Sequence, residues 1–215
     1  MKRILIIGAG DLGQQISHYI SESNDFEVVG FVDDWGEIGE IRNGYQILGR
    51  ISQLEVLYSQ NIFDELLMGI GYNHFKVRKT IFEKYSQMIP FATYIHPTCV
   101  VDSTAKIGQG GILLPRSVID MEAIIKENVL IYSGTIIGHN THIGAQSIIS
   151  LSVTTGGFAT IGEACFVGIG ACVCDNITIS NHTFLGAGTN VVKDITVENG
   201  VYVGNPAKYL KENIS

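Results

Sequence analysis

The sequence predicts a two-part chain, with a small α/β domain of nucleotide-binding type followed by a parallel β-helix built on a six-residue repeat. Three observations lead there. Aliphatic residues recur at every sixth position through the second half of the chain. Small residues keep a fixed phase with them. The first ninety residues lack the repeat and alternate instead between short apolar strands and helical stretches.

The repeat is read by stepping six residues at a time from Val101. The step lands on Ile107, Leu113, Ile119, Ile125, Ile131, Ile137, Ile143 and Ile149, then Thr155, Ile161, Val167, Val173, Ile179, Leu185, Val191, Val197 and Val203. Seventeen of these eighteen positions are aliphatic, and Thr155 is the exception. Neither a helix of period 3.6 nor a strand of period two confines its apolar residues to one in six. A coil of three short strands does so if each strand turns one large side chain inward. Glycine often follows the aliphatic residue (Gly108, Gly138, Gly144, Gly156, Gly162, Gly168, Gly186), which suggests that the backbone turns there. Small residues such as Ser117, Ala123, Thr141 and Ala171 sit four positions after it, where tight corners are expected. About six coils result, and at the usual strand spacing the prism is on the order of 30 Å long.

The preceding segment reads as residues 1–93, with the β-helix and a tail over 94–215. Ile4 to Ile7 forms a buried strand, and a helix is expected from Gln14 to Ser21. Further strands are expected at Glu27 to Val32 and Leu66 to Ile70, with a second helix from Phe75 to Tyr85. Between the first strand and helix lies Gly8-Ala9-Gly10-Asp11-Leu12-Gly13, and acids follow the second strand at Asp33-Asp34. This is the spacing of a dinucleotide fingerprint. Three uses remain open for it: a nucleotide-linked substrate, a purely structural turn, or NAD. The domain is short for NAD, and no hydride-transfer domain follows it.

Composition narrows the function. With 215 residues, 46% hydrophobic and 16% charged, the chain has enough apolar residues for a sizeable core. A net charge of -7 argues against a nucleic-acid partner. The apolar start is too short for a signal peptide and no apolar run is long enough to span a membrane, so a cytoplasmic location is expected. Cys99, Cys165, Cys172 and Cys174 form no C-x-x-C pair and read as small buried hydrophobes in a reducing compartment.

Five strings add a resemblance: Gly8-Ala9-Gly10-Asp11-Leu12-Gly13, Phe31-Val32-Asp33-Asp34, Gly69-Ile70-Gly71-Tyr72-Asn73, His139-Asn140-Thr141-His142-Ile143-Gly144 and Gly204-Asn205-Pro206-Ala207-Lys208. On these the whole chain resembles the bacterial sugar acyltransferases, the group of UDP-4-amino-sugar N-acetyltransferases and sialic-acid O-acetyltransferases. The resemblance implies a left-handed coil, a homotrimer with sites between adjacent prisms, acetyl-CoA as donor and a sugar or nucleotide-sugar acceptor. It places the catalytic histidine at His139 with Asn140 beside it. Substrate contacts fall at Gly10, Asp11, Leu12, Asp33, Asp34 and Gly71, and acetyl-CoA contacts at Gly157, Ile169 and Ala187. Two departures stand out. The family carries an acid after its histidine where this chain has Asn140, and a second histidine nine residues downstream is replaced by Ile148.

The chemistry suits His139. Acetyl transfer needs a base to take the nucleophile's proton and donors to stabilise the oxyanion, and histidine titrates near neutral pH. A neutral amide such as Asn140 can hold the imidazole tautomer but stabilises the imidazolium less than a carboxylate. His139, His142 and His182 lack the spacing of a three-histidine metal set, so no metal is expected. The competing reading is a non-catalytic nucleotide-sugar-binding or scaffold protein on the same fold.

Overall fold

The computed structural model describes residues 1–23 and 25–213, in two compact units, Met1–Ala92 and Thr93–Ser215. The first unit runs β1 (Lys2–Ile7), α1 (Asp11–Ser21), β2 (Phe26–Val32), β3 (Ile41–Arg42), β4 (Tyr45–Gly49), α2 (Leu54–Ser59), β5 (Glu65–Met68) and α3 (Phe75–Tyr85). Its sheet has the order β3-β4-β2-β1-β5, with β1 parallel to both β2 and β5. Ile4 to Ile7 are fully buried, as expected for a strand covered on both faces. Helix α1 buries Leu12, Ile16 and Ile20, one face at a four-residue spacing.

Three details differ from expectation. Helix α1 begins at Asp11 rather than Gln14, because Gly10 already stands in extended conformation as its N-cap. The last strand stops at Met68, since the chain turns where Gly69 lies against Gly13. The β3–β4 hairpin and α2 were not anticipated. The hairpin turns on Asn43-Gly44, both at positive φ as a two-residue type I′ turn requires, and α2 buries only Leu54.

The second unit carries, among the described residues, seventeen two-residue strands from Tyr94–Ile95 to Asn190–Val191. Up to Cys172–Val173, each pairs in parallel with the strand eighteen residues on, as in Val118↔Ile136, Ile124↔His142 and Leu130↔Ile148. Three faces result. The first holds Ile136–Ile137 and Thr154–Thr155, the second His142–Ile143 and Thr160–Ile161, the third Ile148–Ile149 and Phe166–Val167. The fourteen inward positions from Leu113 to Val191 are at most 3% exposed, Thr155 included. At roughly 1.5–3 kcal/mol for each fully buried Ile, Leu or Val, they are the main favourable term. The small residues also face inward. Their hydroxyls bond to backbone carbonyls, for example Ser147 to Gly162 at 2.9 Å and Thr135 to Ser150 at 2.7 Å, so these buried oxygens are satisfied.

The corners correct the reading of glycine. The backbone enters the left-handed region not directly after the aliphatic residue but three positions after it, at fourteen successive corners from Gly110 to Gly188. Glycine and asparagine take seven of these slots, as a positive φ favours. The glycines directly after the aliphatic residues have another task. A Cβ on Gly144 would lie 2.4 Å from Gly162 of the next coil, so bare backbones stack there.

The six-residue register ends at Val191. Val197, expected inside, is 55% exposed; Ile195 is buried instead, and Tyr202 rather than Val203 joins the core. Strand Gly200–Val203 then pairs antiparallel with Lys208–Glu212, a closing hairpin in what read as a tail. Cys165 is buried, but Cys172 and Cys174 flank inward Val173 on the outside and are exposed, contrary to expectation. No helix among the described residues is long and apolar enough to cross a membrane.

Candidate active site

His139 stands on the corner between the first and second faces, and three neighbours set its ring. Its Nδ1 lies 3.0 Å from Asn140 Oδ1. An amide oxygen has no proton to give, so this pairing assigns the proton to Nδ1 and leaves the Nε2 lone pair free. Asn140 itself occupies a left-handed slot, at φ 55°, so the residue that holds the tautomer is also one that the corner's backbone favours. One coil on, Gly157 clears the space. A Cβ there would sit 2.4 Å from His139 Nε2. Phe158 meets the imidazole edge to face, at 5.1 Å and 90°.

The exception in the register lies under the same corner. Gly144 and Gly156 donate to the backbone carbonyls of Ile161 and Val173, whereas Gly138 donates to the Thr155 hydroxyl at 3.0 Å. Thr141 bonds Gly156 O at 2.9 Å, and the Gly157 N–H bonds Asp175 Oδ1 at 2.7 Å. The polar inward residue therefore has an N–H to accept, and it braces the turn carrying His139.

The expected donor contacts divide between two corners. Gly157 shares the corner of His139, while Ile169 and Ala187 are exposed and stacked on the corner between the third and first faces. A six-residue face, roughly 20 Å of extended chain, separates the two corners. Ile148, in the place of the family's second histidine, is buried. His142 opens a second-face strand and His182 occupies the corner between the second and third faces, so they do not gather with His139.

In the α/β unit a cleft of about 290 Å³ opens beside the turn after β1. It is lined by Ala9, Gly10, Asp33, Trp35, Gly36, Arg42 and Ile47. The glycines of the fingerprint have distinct roles. Gly8 takes φ 96°, and a Cβ on Gly13 would lie 1.9 Å from Gly8 O, so one serves the turn and the other helix–strand packing. A Cβ on Gly10 would meet nothing within 4 Å. Gly10 therefore has no packing reason within the unit, and its open backbone is at the helix N-terminus, where phosphate groups bind well.

Asp33 lines the cleft, but its carboxylate is committed to the backbone. It accepts the N–H groups of Ala9 at 2.8 Å, Trp35 at 2.7 Å and Gly36 at 2.8 Å, tying the turns after β1 and β2 together. Burial pushes its carboxyl up, but these donors and the Arg50 charge outweigh burial and hold it below the usual range. Asp34 accepts the Ile51 N–H at 2.9 Å and caps the segment leading into α2. Leu12 is buried, Asp11 is exposed in the first turn of α1, and Gly71 caps the short turn after β5; none of the three lines the cleft. Sequence reading missed Trp35, Arg42 and Ile47, which come from loop and hairpin, and Phe158, although its slot belongs to a six-residue pattern.

Comparison with known proteins fits this geometry. Residues 3–85 match the PglD N-terminal domain family. The acetyltransferase domain of PglB from Neisseria gonorrhoeae is 27% identical, with a TM-score of 0.89 over 98% of this chain and 100% of that one. The same domain in complex with acetyl coenzyme A gives 27% and 0.88 over 97% and 99%. A mutant of GDP-perosamine N-acetyl transferase from Caulobacter crescentus, in complex with CoA and GDP-perosamine, gives 25% and 0.71 over 99% and 98%. No curated protein sequence matches. With the PglD N-terminal domain over residues 3–85 and the left-handed β-helix behind it, the chain has the fold of these sugar acetyltransferases.

Proposed function

We propose that the protein transfers the acetyl group of acetyl-CoA to the amino group of a nucleotide-linked sugar, with His139 as general base. The observation that carries this reading is the aimed imidazole, with Nδ1 held by Asn140 and Nε2 cleared over Gly157. In the reaction the amine attacks the thioester carbonyl while Nε2 takes the amine's proton. The C–S bond then breaks, and the CoA thiolate leaves with a proton returned by the imidazolium. The structurally similar proteins in complex with acetyl coenzyme A, and with CoA and GDP-perosamine, support this donor and acceptor class. The cleft over Gly10 is assigned to the nucleotide. Because Ile169 and Ala187 lie a face away from His139, a neighbouring copy in a homotrimer is proposed to complete the donor site.

The test is turnover of acetyl-CoA with a UDP-linked 4-amino sugar, GDP-perosamine and sialic acid as alternative acceptors. His139→Ala is expected to lower kcat by about 10²–10⁴-fold on the best of them. Undiminished turnover in that variant, or acetylation of sialic acid alone, would overturn the reading. Trp35 is the sole tryptophan and lies on the cleft rim, so its fluorescence should shift on titration with UDP or GDP.

A further inference from the structure

Phe158 is unfavourable for the fold in two ways. Its backbone stands at φ 57°, in the slot that other corners fill with glycine, asparagine or residues other than Phe, Tyr and Trp. A bulky apolar side chain gains nothing there to offset the left-handed strain. The residue is also 55% exposed, so burial offsets little of the cost. Its ring contact is with the His139 imidazole, edge to face at 5.1 Å, and the Phe158 N–H donates to His139 O at 2.9 Å. Strained residues that persist without packing in their favour concentrate at functional sites, where the strain is part of the device.

We infer that Phe158 is a positioning residue for the acyl transfer. Its ring blocks rotation of the imidazole, so that Nδ1 stays on Asn140 and Nε2 stays over Gly157. Gly157 and Phe158 then act as a pair, one vacating space for the ring and the other closing it in. The inference rests on the reading of His139 as the base.

The experiment compares Phe158→Asn, Phe158→Tyr and His139→Ala with the wild type, using acetyl-CoA and a UDP-linked 4-amino sugar. Asparagine accepts a positive φ, so Phe158→Asn should fold with an unchanged or higher Tm. Its kcat should fall by about 10- to 100-fold with KM for both substrates nearly constant, the cost of a misplaced base. Phe158→Tyr, which keeps the ring, should restore most of the loss. A readout independent of turnover is the imidazole ¹⁵N spectrum, with the His139 signals assigned by their absence in His139→Ala. The wild type should show one tautomer protonated at Nδ1, and Phe158→Asn a mixture.

Wild-type kcat and an unmixed tautomer in Phe158→Asn would overturn the inference. So would a loss confined to KM for acetyl-CoA, which would make the ring a donor contact. A loss that accompanies a lower mass in sedimentation would make it a subunit contact and overturn the inference as well. Full activity in His139→Ala would instead remove the reading beneath it, whatever Phe158→Asn does.

Discussion

In the β-helix, Ile131, Ile149 and Val167 fill the same inward slot on successive coils, each fully buried. In the α/β unit Asp33 has no such repeat-related counterpart. It joins the turns after β1 and β2 through three backbone N–H groups. Position in the repeat therefore assigns a residue's role in one region, and individual contacts assign it in the other. The two regions should respond differently to the same kind of perturbation.

The largest expected effect probes the repeat. Ile131→Ala and Ile149→Ala should each destabilise the β-helix by about 2–5 kcal/mol. Because register makes the sites equivalent, the two values should agree to within about 0.5 kcal/mol in urea titrations followed by circular dichroism. A marked difference would show that individual surroundings outweigh position in the repeat.

A second substitution separates role from repeat. Gly157→Ala places a methyl group against the His139 ring, at ordinary φ and with no backbone in the way, so the imidazole rather than the coil must give. Tm should move little while kcat falls about 100-fold, the usual effect of a displaced catalytic group. If Tm collapses instead, Gly157 serves the coil rather than the base.

The smallest effect concerns acid. Arg3 beside Asp64 brings that carboxyl down to about 2, and backbone donors hold Asp33 below its usual range. Both values are depressed on folding, so each carboxylate contributes stability above about pH 4, and that contribution is lost as pH falls through the folded values. In the β-helix the exposed Asp102 is also held down, by the N–H and hydroxyl of Thr104, but the core is apolar with hydroxyl–carbonyl corners, so the dependence there is weaker. Trp35 fluorescence, which reports on the α/β unit alone, should therefore change at higher pH than the β-sheet signal in circular dichroism. Coincident transitions would show one cooperative unit.

The sequence made the β-helix legible because one residue in six carries most of the burial, and Thr155 already stood out as the exception that proves to brace the His139 corner. The register failed past Val191 because an aliphatic pattern does not reveal that two residues are missing between Ile179 and its partner Ile195, sixteen rather than eighteen on. Glycine was misread because a residue without a side chain serves either a turn or a close approach, and composition does not distinguish them. His139 and Asn140 were singled out through family resemblance, since a corner histidine has no periodic signature. Trp35 and Phe158 stayed hidden for another reason: exposure and positive φ are conformational facts that residue type does not encode.

The eighteen-residue pairing register has one more consequence, for insertions and deletions. Removing six residues upstream of His139 would leave every inward aliphatic residue in phase, and the chain could still coil. Everything downstream would be rotated by a third of a turn, and His139 would move to a different edge of the prism. Removing eighteen would shorten the stack by one storey and return His139 to its own edge. The hexad is therefore the unit that folds, and the full coil is the smallest change in length that returns every downstream residue to its own edge.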